Sequence, residues 1–111
     1  MRRQRCLRAG DVRLACLLLS GADIISVDWT VSLDDAMKRV HAVNSNMRFQ
    51  GNLDPAILLS NNHALIKERT EEILAMTGGQ GHVMNLGHGI EAGTSEESAA
   101  FFVKTVQEWR P

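Results

Sequence analysis

The sequence predicts an α/β fold in which parallel strands alternate with helices. Three short apolar runs, at 24–27, 47–50 and 82–86, are typical of buried strands, and segments with helical periodicity follow them. Each run ends in a polar loop that contains Gly or Asp, namely DWT, GNLDP and NLGHG. Strands separated by helices indicate parallel βαβ units with right-handed crossovers, so we expect the three loops at one edge of a sheet, where such folds bind ligands.

Composition and charge restrict the class of protein. At 111 residues and 44% hydrophobic content, the chain is one globular domain or part of one. Residues 1–13 hold five arginines and one aspartate, whereas the other 98 residues carry 7 basic and 12 acidic groups. We therefore treat 1–13 as a basic lead, either part of an organelle transit peptide or the arbitrary start of a truncated gene model, and 14–111 as the body. Because no aromatic cluster accompanies the arginines, we expect no nucleic-acid partner.

Two further features exclude other classes. No apolar run approaches the roughly 20 residues needed to cross a bilayer, so we expect no membrane partner. Cys6 and Cys16 lie ten positions apart, a spacing that matches no zinc or redox motif. They indicate inert thiols in a reducing compartment.

The first two helices are predicted from capping signals. Residues 13–20 place leucines at helical spacing and precede Gly21, which suits a helix C-cap. A second helix should begin at Ser32-Leu33-Asp34-Asp35, a sequence similar to a capping box with acids in the first turn, and run through Val40.

Three more helices are predicted in the second half of the chain. Asp54-Pro55 is typical of an N-cap followed by proline in a short helix that ends at Leu59. The longest helix should span 63–76, end at Thr77-Gly78-Gly79, and present one apolar side, formed by Leu65, Ile66, Ile73 and Met76. The last should begin at the capping box Thr94-Ser95-Glu96-Glu97, with an apolar stripe of Ala99, Phe102, Val103, Val106 and Trp109.

The strand-end loops supply the candidate binding residues. His88 is the strongest single candidate, because its flanking residues Gly87 and Gly89 let the backbone approach a ligand closely and the strand end points the ring toward a cleft. Asp28 either lines the pocket or caps the following turn. Gln50 and Asn52 either donate hydrogen bonds to a ligand or satisfy the loop backbone. We expect a pocket rim formed by Asp28, Gln50, Asn52, Gly87 and Gly89.

The remaining histidines do not predict a metal site. His82 is typical of a surface or capping residue, and His41 and His63 fall in connectors where we expect them to be solvated. His82 and His88 are too far apart in an extended segment for local chelation, and no nearby Cys or acid completes a zinc site. We therefore expect no metal.

Three stretches in series, GADIISVDWTV, FQGNLDP and HVMNLGHGI, closely resemble the C-terminal part of the uroporphyrinogen decarboxylase family. The spacing between them and the helix start GTSEES are also similar, over about residues 14–109. The resemblance implies the last three β/α units of a (β/α)8 TIM barrel, which three strands cannot close.

The resemblance also implies a function. Family members are cofactor-independent carboxy-lyases of tetrapyrrole (heme and chlorophyll) biosynthesis, which remove the four acetate carboxyls of uroporphyrinogen to give coproporphyrinogen. The family's binding histidine in NLGHG corresponds to His88, with an implied hydrogen bond to the macrocycle's carboxylates or pyrrole region. A homodimer of the full-length protein, in the cytoplasm or plastid stroma, is implied as well.

The sequence departs from the family pattern in its first part. The arginine-rich RQAGRY-like motif is absent, as are the strand carrying the pyrrole-binding aspartate and the binding tyrosine and serine. We therefore expect a C-terminal fragment or truncated gene model that is inactive alone. The alternatives are a non-catalytic remnant that docks on a full-length homologue, and a zinc-dependent, corrinoid-linked methyltransferase of the same superfamily, whose Cys/His metal set we do not find.

Overall fold

The computed structural model describes residues 4–7 and 23–111, and its strands form one parallel sheet. Along the sheet the strands follow chain order, as β1 (Gln4–Leu7), β2 (Ile24–Val27), β3 (Arg48–Gln50) and β4 (His82–Val83). Each new strand is therefore added on the same side of the one before it. The α/β class with parallel strands is confirmed.

The predicted strands are present, and one strand was not predicted. β2, β3 and β4 lie within the three apolar runs, although β3 begins one residue after the buried Met47. β1 lies in the basic lead and pairs in parallel with β2, a long-range pairing that the local sequence QRCL does not signal. The predicted helix at 13–20, its C-cap Gly21, and Cys16 lie outside the described residues.

β4 is short, but its pairing with β3 continues beyond the strands. Leu53 and Leu86 form a parallel bridge, and the Leu53 amide donates to the Asn85 carbonyl at 3.1 Å. The Gly87 amide in turn donates to the Leu53 carbonyl at 2.8 Å. The segment predicted as a strand over 82–86 is thus hydrogen-bonded along its length, and the pairing ends next to His88.

Within residues 23–111, the strands alternate with the helices α1 (Leu33–His41), α2 (Pro55–Leu59), α3 (His63–Thr77) and α4 (Glu96–Glu108). One buried cluster joins the sheet to α1 through Ile25, Val27, Leu33, Ala36, Val40, Met47 and Phe49. A second joins the segment after β3 to α2, α3 and α4 through Leu53, Leu58, Ile66 and Phe102. Because side chains alternate along a strand, Ser26 and its partner Gln50 point to the sheet face opposite Ile25 and Phe49.

None of the helices in the described ranges is long and apolar enough to cross a membrane.

The capping predictions have mixed outcomes. Asp54 caps α2 as predicted, and its side chain accepts from the Ala56 amide at 2.9 Å. Ser32 precedes α1 but makes no side-chain cap, so that capping box is wrong. The cap of α4 is Ser95 rather than Thr94, since the Ser95 hydroxyl accepts from the Ser98 amide at 3.1 Å.

Some predicted apolar faces are rotated in the structure. Met76 in α3 and Val103 in α4 are 41% and 51% exposed, so their predicted burial is wrong. Polar residues share the buried faces with apolar ones, namely Thr70 in α3 with Ser98 and Thr105 in α4. A polar residue on the buried side of a helix weakens the apolar periodicity of the sequence. The periodicity therefore predicted a buried face for α3 and for α4 that is rotated from the observed one.

The prediction that His41 is solvated is also wrong. His41 is half-buried at the end of α1, where its Nε2–H donates to the Met47 carbonyl at 3.1 Å. The edge of its ring packs on Phe49 at a centroid distance of 5.2 Å. His63 is exposed but stacks on Phe101 at 4.4 Å. Both histidines therefore have packing roles.

Candidate functional site

An open cleft of about 330 Å³ lies where β2 and β3 end and the chain continues past β4. The loop after β2, residues 28–31, forms one side and is called the rim loop below. Residues 87–89 form the other side and are called the histidine turn. The lining consists of Ser26, Val27, Asp28, Gln50, Asn85, Leu86, Gly87, His88 and Gly89. Five of the six predicted site residues line this cleft, and Asn52 does not.

His88 lies at the mouth of the cleft and is exposed. Its position follows from the pairing of Gly87 with Leu53, which fixes the backbone immediately before it. Within the described ranges, no hydrogen bond or ion pair engages the imidazole. Both ring nitrogens therefore remain available to a bound molecule.

Asp28 has both of the roles that its sequence position suggested. It lines the cleft, and its Oδ2 accepts from the Thr30 amide at 3.2 Å and from the Thr30 hydroxyl at 2.5 Å. Such a side-chain-to-backbone bond two residues ahead is an Asx turn, which fixes the carboxylate relative to the loop. The negative charge of Asp28 is thus held at the edge of the cleft.

Gln50 and Asn52 are separated by the geometry. Gln50 is half-buried and lines the cleft on the face opposite the helices. The Asn52 side chain is 6% exposed and lies beneath the rim loop, where its amide nitrogen donates to the carbonyls of Asp28, at 3.1 Å, and Val31. Of the two roles considered for Asn52, its contacts in the structure are those of backbone support.

His82 lies beneath the site and supports it, so its predicted place at the surface is wrong. Its Nε2–H donates to the Gly51 carbonyl, and its Nδ1 lies 3.0 Å from the Thr77 hydroxyl. Burial lowers the pKa of His82, and the bond to Gly51 offsets part of that effect.

Gly51 itself has a backbone φ of 125°, and a Cβ atom there would lie 2.6 Å from the Val27 carbonyl oxygen. A glycine is therefore required at the end of β3.

The charges around the cleft limit its chemistry. The described lining residues include the carboxylate of Asp28 and the imidazole of His88 but no lysine or arginine. In the part of the chain that the structure describes, no group of three or more His, Cys, Asp or Glu side chains is placed to hold a metal. What the cleft offers a ligand is hydrogen bonding from His88 and Gln50 beside one fixed negative charge.

Comparisons with known proteins identify the family. The family model described as uroporphyrinogen decarboxylase (URO-D) matches residues 9–109. The uroporphyrinogen decarboxylase of Microcystis aeruginosa is 43% identical over 90 residues, which are 81% of this chain and 25% of that protein. The Hordeum vulgare enzyme is 42% identical over 91 residues, or 82% and 26%, and that of Gloeobacter violaceus is 44% identical over 92 residues, or 83% and 25%.

The chain therefore spans about a quarter of the length of these relatives. The family match covers the rim loop, the strand end at Gln50 and the histidine turn, so all the residues that line the cleft fall inside it. The chain belongs to the uroporphyrinogen decarboxylase family.

Proposed function

We propose that the cleft is one wall of a uroporphyrinogen-binding site and that the chain serves the decarboxylation for which its relatives are named. The observation that carries this proposal is that Asp28, Gln50 and His88, which come from three different strand ends, line a single cleft. In a member of this family, a cleft at the carboxyl ends of parallel strands is where a substrate is expected to bind.

The residues suit different parts of a tetrapyrrole. Both ring nitrogens of His88 are free of partners among the described residues, so the ring can donate a hydrogen bond to a substrate carboxylate. The Asp28 carboxylate, which is distinct from the family's pyrrole-binding aspartate, can accept a hydrogen bond from the substrate, whereas its negative charge would repel a substrate carboxylate. Loss of CO₂ leaves negative charge on the carbon attached to the pyrrole, and a hydrogen-bond donor that is already in place stabilises such charge.

The described lining forms one side of such a site. A substrate with several carboxylates needs several donors or cations, and this lining contains neither lysine nor arginine. We therefore propose that the 111-residue chain binds a tetrapyrrole weakly and does not turn it over by itself.

The same proposal extends to the architecture. We propose that these β/α units belong to a (β/α)8 barrel, because the strands are parallel, follow chain order without reversal, and carry helices packed on one face. A doubly wound sheet would reverse its strand order at a switch point. Location in the cytoplasm or plastid stroma and dimerisation of the whole protein are also part of this proposal.

The proposal is tested by titrating uroporphyrin, the stable oxidised form of the substrate, into the ¹⁵N-labelled chain. We expect the amide signals of residues 28–30 and 85–89 to shift. His88→Ala should weaken binding about tenfold, as expected for a lost hydrogen bond to a charged group. His63→Ala is the control, because His63 is also exposed but stacks on Phe101 away from the cleft lining.

Equal affinities of the His88→Ala variant and the unsubstituted chain would contradict the binding role. A separate incubation with uroporphyrinogen under anaerobic conditions tests catalysis. We expect no coproporphyrinogen from the 111-residue chain, and sustained turnover would contradict the proposal that its cleft is one wall of a larger site.

A further inference from the structure

We infer that Asn52 is a positioning residue, whose buried amide sets the rim loop and thereby places Asp28 opposite the histidine turn. The inference rests on the proposed function, since the residues that it positions are the proposed binding residues. Asn52 does not line the cleft, so it acts through its neighbours.

One amide group holds both ends of the rim loop. The Asn52 Nδ2 donates to the carbonyl of Asp28, the first residue of the loop, and to the carbonyl of Val31, the last. The Val31 amide also donates to the Asp28 carbonyl at 3.1 Å, which closes the turn. This arrangement requires a side chain with two N–H donors. The asparagine side chain has two such donors and is long enough to reach both carbonyls from the end of β3.

The adjacent residue holds the other side of the cleft. The Leu53 carbonyl accepts from the Gly87 amide at 2.8 Å, directly before His88. Asn52 and Leu53 therefore connect the rim loop and the histidine turn to the same point of the chain. The separation of the Asp28 carboxylate and the His88 ring is therefore set through this point, together with the backbone contact of Gly87 with Trp29.

The Asn52 side chain has little freedom to move. It is 6% exposed, the preceding carbonyl of Gly51 accepts from His82, and the following residue Leu53 is 1% exposed. Removal of the amide would leave the carbonyls of Asp28 and Val31 without this donor beneath the loop. Because the loop is otherwise held by its own short turn and by the backbone contact of Trp29 with Gly87, we expect it to shift or to sample several conformations.

Two substitutions separate positioning from space filling. Asn52→Leu keeps a similar volume and has no donor. Asn52→Asp keeps the shape, but at neutral pH its carboxylate faces two carbonyl oxygens and repels them. On acidification the protonated carboxyl regains one donor, so the amide signals of Asp28 to Val31 should move back toward their unsubstituted positions. A residue that merely fills space would show no such recovery.

The experiment compares these variants with the unsubstituted 111-residue chain and with Val106→Ala, which lowers stability through α4 away from the cleft. We expect both Asn52 variants to shift the amides of residues 28–31 and 87–89 and to weaken uroporphyrin binding about fivefold at neutral pH, which corresponds to one lost hydrogen bond. Val106→Ala should lower the unfolding midpoint and leave the affinity unchanged.

Unchanged rim-loop signals and affinity in Asn52→Leu would overturn the inference. A second measurement applies if the variants do not fold: the Asn52 side-chain N–H protons of the unsubstituted chain should exchange with solvent far more slowly than those of the exposed Asn46. Equal exchange rates would also overturn it. If the unsubstituted chain binds no uroporphyrin but the Asn52→Asp recovery is seen, the positioning role stands and the proposed function fails.

Discussion

A Cβ atom on Gly87 would lie 2.3 Å from the amide nitrogen of Trp29 and 2.7 Å from its Cα. The histidine turn and the rim loop therefore meet through bare backbone, with no room for a side chain between them. Gly89, at the other end of the histidine turn, has no atom within 4 Å of the corresponding position. The two glycines that flank His88 have different structural requirements.

These two positions give a matched pair of substitutions. Gly87→Ala should lower the free energy of unfolding by about 1–3 kcal/mol, the usual cost of forcing extra atoms into a packed site. It should also displace the rim-loop amide signals. Gly89→Ala should change stability by less than about 1 kcal/mol. Urea unfolding of both variants measures the difference, and equal stabilities would contradict the close approach of Gly87 to Trp29.

His82 predicts a dependence of stability on pH. Its pKa is lowered in the folded chain from the ordinary 6.5 by burial, so below pH 6.5 the unfolded chain takes up the proton more readily than the folded one. The free energy of unfolding should therefore fall as the pH drops from 6.5 toward the lowered pKa, and level off above 6.5. Urea unfolding midpoints across this range measure the effect.

The control for His82 is His82→Gln, which keeps an amide donor but does not titrate. This variant should show a smaller loss of stability on acidification than the unsubstituted chain, and their difference isolates His82 from the other histidines. If both curves have the same slope below pH 6.5, the lowered pKa of His82 is refuted.

Asn61 connects the loop between α2 and α3 to the start of α4. Its Oδ1 accepts from the hydroxyls of Ser95 at 2.8 Å and Ser98 at 2.9 Å, and its φ is 55°. Asn61→Gly tolerates this φ but loses both bonds, and should lower the free energy of unfolding by about 1–2 kcal/mol. Asn61→Asp keeps the acceptor and should stay within about 0.5 kcal/mol of the unsubstituted chain, since a negative charge is favoured at a helix N-terminus.

Thermal or urea unfolding of the two Asn61 variants provides the measurement. A loss in Asn61→Asp as large as that in Asn61→Gly would show that the accepted hydrogen bonds do not stabilise the contact between α4 and the loop.

Two buried threonines predict opposite effects of the same substitution. The Thr70 hydroxyl is fully buried and has no hydrogen-bond partner among the described residues, so Thr70→Val should stabilise the chain by up to about 1 kcal/mol. The Thr105 hydroxyl donates to the Phe101 carbonyl at 2.8 Å, so Thr105→Val should destabilise it by about 1 kcal/mol. Differential scanning calorimetry measures both, and a destabilised Thr70→Val variant would indicate a partner for that hydroxyl.

Local signals predicted much of the fold. Asp54-Pro55 and Gly78 act through the residues next to them, and both are found at the helix ends where the sequence placed them. The apolar runs predicted three strands for a similar reason, since β2 and β3 contribute buried side chains to the core. The expectation that the third run is buried is wrong for β4, where Val83 is 50% exposed. β1 escaped prediction because it is defined by its pairing with β2 rather than by its own composition.

The candidate site was predicted in part for the same physical reason. Parallel strand ends share one edge, so Asp28, Gln50 and the histidine turn were expected together, and the structure brings them into one cleft. The direction in which a side chain points could not be predicted in this way. Asn52 and His82 have contacts 21 to 31 residues away in the sequence, and no local pattern indicates that Asn52 turns beneath the rim loop or that His82 reaches Gly51.

The agreement between strand order and chain order has a consequence for synthesis on the ribosome. Each strand that emerges finds the edge of the preceding strand already available, so the sheet can grow in one direction as the chain lengthens. The contacts between α3 and α4 also join consecutive helices, so they can form as soon as α4 has been made. Each parallel pairing still requires the segment between its two strands to close, so the order of synthesis removes the wait for later segments but not the loop-closure entropy.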